Sequence, residues 1–97
     1  MKRLKKIIKQ IWEETMGAQE YAKCALNVKD EDRSLAEAYI SMAMQEISHA
    51  DTLSSHAARI VSEYPDDECM HHIWEWEHEK LIDRMADSKI LIDMYRK

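Results

Sequence analysis

The chain has 97 residues, of which 34% are charged, and a formal net charge of −5. This length suits one domain, 1–97, whose small core a second subunit would enlarge. The excess of acidic residues argues against general binding to nucleic acid, and no run approaches the roughly 20 apolar residues that cross a bilayer. With two cysteines and no secretory signal, we expect reduced thiols and a soluble, cytoplasmic protein that binds neither nucleic acid nor membrane.

The composition indicates an all-α fold, because the chain has one glycine, one proline and no phenylalanine. A first helix is predicted over about 4–28, where apolar residues recur at steps of four and three, the spacing of a buried face. Glu14 and Tyr21 belong to that face. Gly17 lies inside the helix at a cost of about 1 kcal/mol relative to alanine, which predicts a close helix contact or a local irregularity.

A second helix is predicted over about 34–63. Ser34 and Glu37 match a capping box and place its start. Two adjoining apolar stripes follow, so we expect this helix to be the central one. The predicted buried face consists of Leu35, Tyr39, Met42, Glu46, His49, Leu53, His56 and Ile60, and the stripe beside it of Ala36, Ala43, Ile47, Ala50, Ala57 and Val61.

A third helix is predicted over about 67–96. Pro65 ends the second helix, and the acidic residues after it suit the positive end of the next helix dipole. Short connections make successive helices antiparallel neighbours. The sequence therefore predicts a three-helix up-down-up antiparallel bundle, which we expect to be completed by homodimerisation. The face predicted to be buried in the third helix contains His71, Trp74, His78, Leu81, Met85, Ser88, Ile92 and Tyr95.

Six polar residues stand at positions that otherwise predict core: Glu14, Glu46, His49, His56, His71 and His78. A carboxylate in a core costs several kcal/mol unless it is paired, protonated or bound to a metal. Glu46 and His49 are three residues apart and share a helix face, while Glu14 lies at a similar height in an antiparallel neighbour. Two carboxylates and an imidazole suit iron, manganese or zinc. We therefore predict that Glu14, Glu46 and His49 bind a metal, the alternative being a buried polar pair.

The motifs resemble the first two helices of ferritin-like proteins, such as rubrerythrins and bacterioferritins, over about residues 7–60. The matching features are Glu14 with Tyr21 seven residues later, and "AYISMAMQEISHADTL" some thirty residues on. The resemblance implies iron, with Glu14 as a terminal ligand, Glu46 as a bridging carboxylate and His49 as a nitrogen ligand. It also implies oxidation of Fe(II) by O2 or peroxide. Beside the ligands, we expect the Tyr21 hydroxyl to be bonded to a carboxylate.

The third helix departs from the ferritin-like pattern. That family repeats Glu and E-x-x-H over four helices, whereas this chain offers one more E-x-x-H, at Glu75 and His78, and lacks one glutamate. A homodimer would bring two copies of Glu14, Glu46 and His49 around a two-fold axis, in an arrangement similar to that of some small encapsulated ferritins. Alternatively, the third helix would complete an intra-chain site with Glu75 and His78 as ligands. The dimer is favoured, because a short chain gains most from it.

A second hypothesis is a helical structural or interaction module that has no functional metal site. The missing glutamate supports it, since a fold alone does not establish a function. His56 is interpreted as a core or edge histidine. Near the start of the third helix, the side chains of Cys69, His71 and His72 are interpreted as surface groups. The alternative is that these three side chains bind a zinc ion.

Overall fold

The computed structural model describes all 97 residues and contains three α-helices and no strand. They are α1 (Lys2–Val28), α2 (Arg33–Ser62) and α3 (Glu68–Arg96). Their bounds lie within two residues of those predicted, and the all-α prediction is confirmed. The Cα atoms extend over 54 × 17 × 14 Å, so the helices form one elongated bundle. The chain has no helix with the length and apolar character that crossing a membrane requires.

Contacts at the helix ends establish the up-down-up order. The Arg3 guanidinium, at the start of α1, lies 2.8 Å from the Glu63 carboxylate that follows α2. These two helices are therefore antiparallel. At the other end of the bundle, the Lys29 ammonium after α1 donates to the backbone carbonyl of Tyr95 near the end of α3. Helices α1 and α3 consequently run in the same direction.

Aspartates cap the second and third helices. The Asp32 side chain accepts a hydrogen bond from the Leu35 N–H at 3.0 Å, and the Asp67 side chain accepts one from the Met70 N–H at 3.0 Å. The predicted capping box at Ser34 is therefore wrong. A carboxylate two residues earlier satisfies the free N–H groups of the first turn, and it also complements the positive end of the helix dipole.

The central helix is α1, not α2 as predicted. It packs extensively on both of the other helices, whereas α2 and α3 touch each other least. Polar contacts orient α3 on α1: the Trp12 indole N–H donates to Glu77 at 3.0 Å, and the Arg84 Nε donates to the Thr15 hydroxyl at 3.0 Å. The Arg84 guanidinium also lies over the Trp12 ring, 4.2 Å from its centroid. Sequence reasoning missed this network, because its partners lie more than sixty residues apart.

The buried face of α2 is the small-residue stripe rather than the one containing Glu46 and His49. Alanines allow α1 to approach closely, so the Ala-rich stripe faces the core, and the stripe beside it turns towards solvent. Of the predicted face, only Ile60 is buried. The predicted face of α3 is largely buried, as expected. The buried residues of α2 are Ala36, Ile40, Ala43, Ile47, Ala50, Ala57, Ile60 and Val61.

Candidate metal centre

Three predicted ligands lie together midway along the α1–α2 pair. Glu14, Glu46 and His49 each offer one ligating atom, and these atoms all lie within 4.8 Å of one another. Antiparallel packing brings the middle of α1 to the height of the middle of α2, and the one-turn spacing in α2 points both of its side chains the same way. The structure thus brings together the three residues that helical spacing predicted to be neighbours, while binding of a metal stays a prediction.

Gly17 provides the space that the Glu46 carboxylate occupies. A Cβ atom at this position would stand 3.1 Å from Glu46 Oε2 and 3.3 Å from its Cδ, both closer than ordinary van der Waals contact. The helix there is regular, and the glycine does not have a positive φ. Gly17 therefore marks a close contact between helices, the first of the two reasons that the sequence suggested for it.

The Glu14 carboxylate strongly perturbs the pKa of Glu46. The pKa of Glu46 is raised from 4.5 to about 7. The largest cause is that a protonated Glu46 can share its proton with Glu14; burial and repulsion by the Glu14 charge follow, and His49 acts in the opposite direction. Near neutral pH the pair thus holds a proton that two separate carboxylates would have released. A bound cation would replace that proton and remove the repulsion.

The cluster is covered on one side and open on the other. Glu14 Oε2 is buried and has no hydrogen-bond partner, and the His49 Nδ1 lies 3.4 Å from it. The Glu14 side chain is 26% exposed, whereas that of His49 is 58% exposed. Apart from the proton that Glu46 can share with Glu14, this buried acceptor has no donor, which is rare in folded proteins. The donor set therefore fits a cation that enters from the His49 side.

The open side faces away from α3. Successive residues of an α-helix are rotated by about 100°, so Glu14 points about 200° away from Trp12, which contacts α3. Tyr21 and Tyr39 stand nearby on the same side of the α1–α2 pair, with ring centroids 6.1 Å apart. The Tyr21 hydroxyl donates no hydrogen bond to Glu14 or Glu46, so the bond to a carboxylate that we expected from the sequence is not present in this structure.

The second E-x-x-H does not join the cluster. Glu75 is exposed on α3, and the His78 ring stacks on Trp74 with centroids 4.7 Å apart. His78 also lines a shallow surface cavity with Asp51 and neighbouring serines of α2. Helix α3 therefore does not complete the Glu14–Glu46–His49 cluster within one chain. A metal-binding role for Glu75 and His78 stays a prediction of the sequence.

The remaining histidines lie outside the cluster as well. His56 is exposed on α2, and the His71 Nε2 lies 3.0 Å from the Tyr64 backbone carbonyl. Cys69 is an exposed free thiol. The structure does not bring Cys69, His71 and His72 together in a geometry that would bind a metal. They are separate side chains at the start of α3.

Comparison with known proteins found no protein-family model, no curated protein and no solved structure that matches this chain.

Proposed function

We propose that the protein is a ferritin-like iron protein in which Glu14, Glu46 and His49 bind iron. The observation that carries this proposal is the cluster itself: three ligating atoms lie within 4.8 Å of one another, two of them on partly buried carboxylates. Two carboxylates and one imidazole form a donor set that suits iron, with manganese or zinc as alternatives.

In this proposal Fe(II) is the substrate, and each pair of ions gives two electrons to one O2, which takes up two protons and leaves as H2O2. Glu14 and Glu46 supply negative charge, which favours the more highly charged Fe(III) product. Glu46 releases its shared proton when a cation enters. His49 holds the exposed side of the site and offers a nitrogen that coordinates without adding negative charge.

A second copy of the chain is the proposed source of the remaining ligands. One chain offers three ligands, whereas di-iron carboxylate sites in helical bundles use four carboxylates and two histidines. The open side of the cluster is flanked by partly buried Tyr21, Tyr39 and Leu53, which a partner would cover. Two copies related by a two-fold axis would supply the full set and exclude water from it.

The alternative is a helical interaction module without a metal. The exposure of His49 and the three-ligand count favour it, because a relic of a former site would have the same appearance. The two proposals differ in the expected effect of Glu46→Ala. Without a metal, this change removes a carboxylate crowded by Glu14 and is neutral or stabilising. With a metal, it lowers the stability of the loaded protein.

The test is iron uptake by the full chain. Fe(II) is added to the protein without oxygen, air is admitted, and near-UV absorbance, bound iron and molar mass by light scattering are measured. We expect about one iron per chain and an oxidation-linked absorbance band in a dimer or larger assembly. Glu46→Gln and His49→Ala are expected to lose the band and most of the bound iron.

Glu13→Gln is the matched control, because Glu13 precedes Glu14 in α1, is exposed and lies outside the cluster. It should leave uptake unchanged. Binding below about one iron per two chains and no absorbance change in the unmodified protein would refute the proposal. Full uptake by a monomer would refute the dimeric site alone.

A further inference from the structure

One end of the bundle contains a polar cavity of about 390 Å³. It lies where α1 ends, α2 begins and α3 ends, far from the middle of α1 and α2. Its lining includes the cations Lys29, Arg33, Arg96 and Lys97 against the single carboxylate of Glu37. This local excess of positive charge contrasts with the formal net charge of −5 of the whole chain.

None of these four cations forms an ion pair, since the salt bridges of the protein lie elsewhere. The Lys29 ammonium donates to a backbone carbonyl, and the Arg96 guanidinium lies 3.1 Å from the sulfur of Met44. Arg33 stands in the first turn of α2, where the helix dipole is positive and a cation is unfavourable. An anion in the cavity would offset the positive charge of these groups and the unfavourable position of Arg33.

Tyr95 lines the cavity next to these charged groups. The side chain is 3% exposed, and its hydroxyl stands beside the Glu37 carboxylate and the Arg33 guanidinium without a hydrogen bond of regular geometry. Burial, and then the neighbouring Glu37 carboxylate, raise the pKa of Tyr95, so the hydroxyl keeps its proton. With Tyr95 neutral, Glu37 is the only negatively charged side chain that lines the cavity against four cations, and this balance favours an anion.

We propose that this cavity binds a phosphate group, either inorganic phosphate or a small phosphate monoester. Guanidinium groups match phosphate oxygens in geometry and charge, and the cavity is of a size that small ligands occupy. Glu37 is the one opposing group, because its carboxylate repels the ligand and stands near the Tyr95 hydroxyl. The proposal does not depend on the metal centre.

The test is isothermal titration calorimetry of the full chain with inorganic phosphate and, separately, with glycerol phosphate, in chloride buffer at constant ionic strength. We expect saturable binding at one site per chain. Arg33→Gln should weaken it by about tenfold or more, through loss of a charge-assisted contact. Glu37→Gln should tighten it several-fold, because the repelling charge is removed. The tighter of the two ligands identifies the source of the phosphate group.

Lys9→Gln is the control, because Lys9 is exposed near the other end of α1 and the substitution also removes one positive charge. It should leave phosphate affinity unchanged. The proposal is overturned if no saturable binding occurs, or if Lys9→Gln weakens it as much as Arg33→Gln does.

Discussion

Replacing Glu46 by glutamine should make the metal-free protein more stable at pH 8 and remove most of the dependence of its stability on pH between about 5 and 8. The reason is the raised pKa of Glu46, about 7 against 4.5. In the folded state Glu46 and Glu14 hold a proton that the unfolded chain releases. Glutamine carries no charge at any pH, so it cannot repel Glu14.

The sign and size of the effect follow from proton linkage. A carboxyl group whose pKa is raised by folding binds more protons in the folded state, so the free energy of unfolding falls as pH rises from about 4.5 to about 7. The full difference between the pKa of Glu46 in the folded and unfolded states corresponds to a change of about 3 kcal/mol in the free energy of unfolding. Glu46 is partly exposed and coupled to Glu14, so solvent screening reduces this to roughly 1–2 kcal/mol. The lowered pKa of Glu63 acts at lower pH, where acid protonates that group.

The assay is urea unfolding followed by circular dichroism at several pH values, after metal has been removed with a chelator. Glu13→Gln, which changes an exposed carboxylate, should keep the pH dependence of the unmodified protein. If Glu46→Gln falls in stability from pH 5 to 8 as steeply as the unmodified protein, the coupled carboxylate pair does not exist in solution. Redox-inert Zn²⁺ should stabilise the unmodified protein at pH 8 but not Glu46→Gln, since a cation replaces the shared proton only where both carboxylates are present.

Three further changes test the packing. Gly17→Ala places a methyl group 3.1 Å from the Glu46 carboxylate, so the dissociation constant for Zn²⁺, measured by competition titration, should rise about tenfold. The stability of the metal-free protein should not change, and an unchanged affinity for Zn²⁺ would contradict this prediction. Ser88→Ala removes a buried hydroxyl without a partner and should raise the free energy of unfolding by about 1 kcal/mol; a loss would show that the hydroxyl is bonded. Arg84→Ala removes the guanidinium over Trp12 and should lower stability by about 1–2 kcal/mol in thermal unfolding; a neutral result would show that the network contributes nothing.

The sequence was sufficient to predict the helices and the cluster, because both depend on local spacing. Apolar steps of four and three located all three helices. The rise per residue, counted along each helix from the turn that joins α1 and α2, predicted that Glu14 and Glu46 lie at the same height. The structure brings their carboxylates together. The position of Gly17 also carried information, since a glycine inside a helix needs a reason.

Periodicity alone could not predict which of the two stripes of α2 is buried, because both stripes have helical spacing. The choice depends on how closely α1 can approach, and the small side chains of Ala43 and Ala50 allow the closest approach. The start of α2 was misplaced for a related reason. Asp32 and Ser34 are both good caps, and the turn geometry after α1, which the sequence pattern does not contain, selects Asp32.

The exposure of the second stripe changes how the polar residues should be interpreted. In a closed core, an unpaired carboxylate would itself argue for a metal, because its burial would otherwise cost several kcal/mol. In this structure His49 reaches solvent and Glu46 retains a proton near neutral pH, so the isolated chain tolerates the pair without an ion. In the dimeric form of the proposed site, a second copy would cover the open side, and burial there would make the charge of the pair costly enough to favour a cation over the shared proton. Metal uptake and dimer formation should consequently rise together as protein concentration increases.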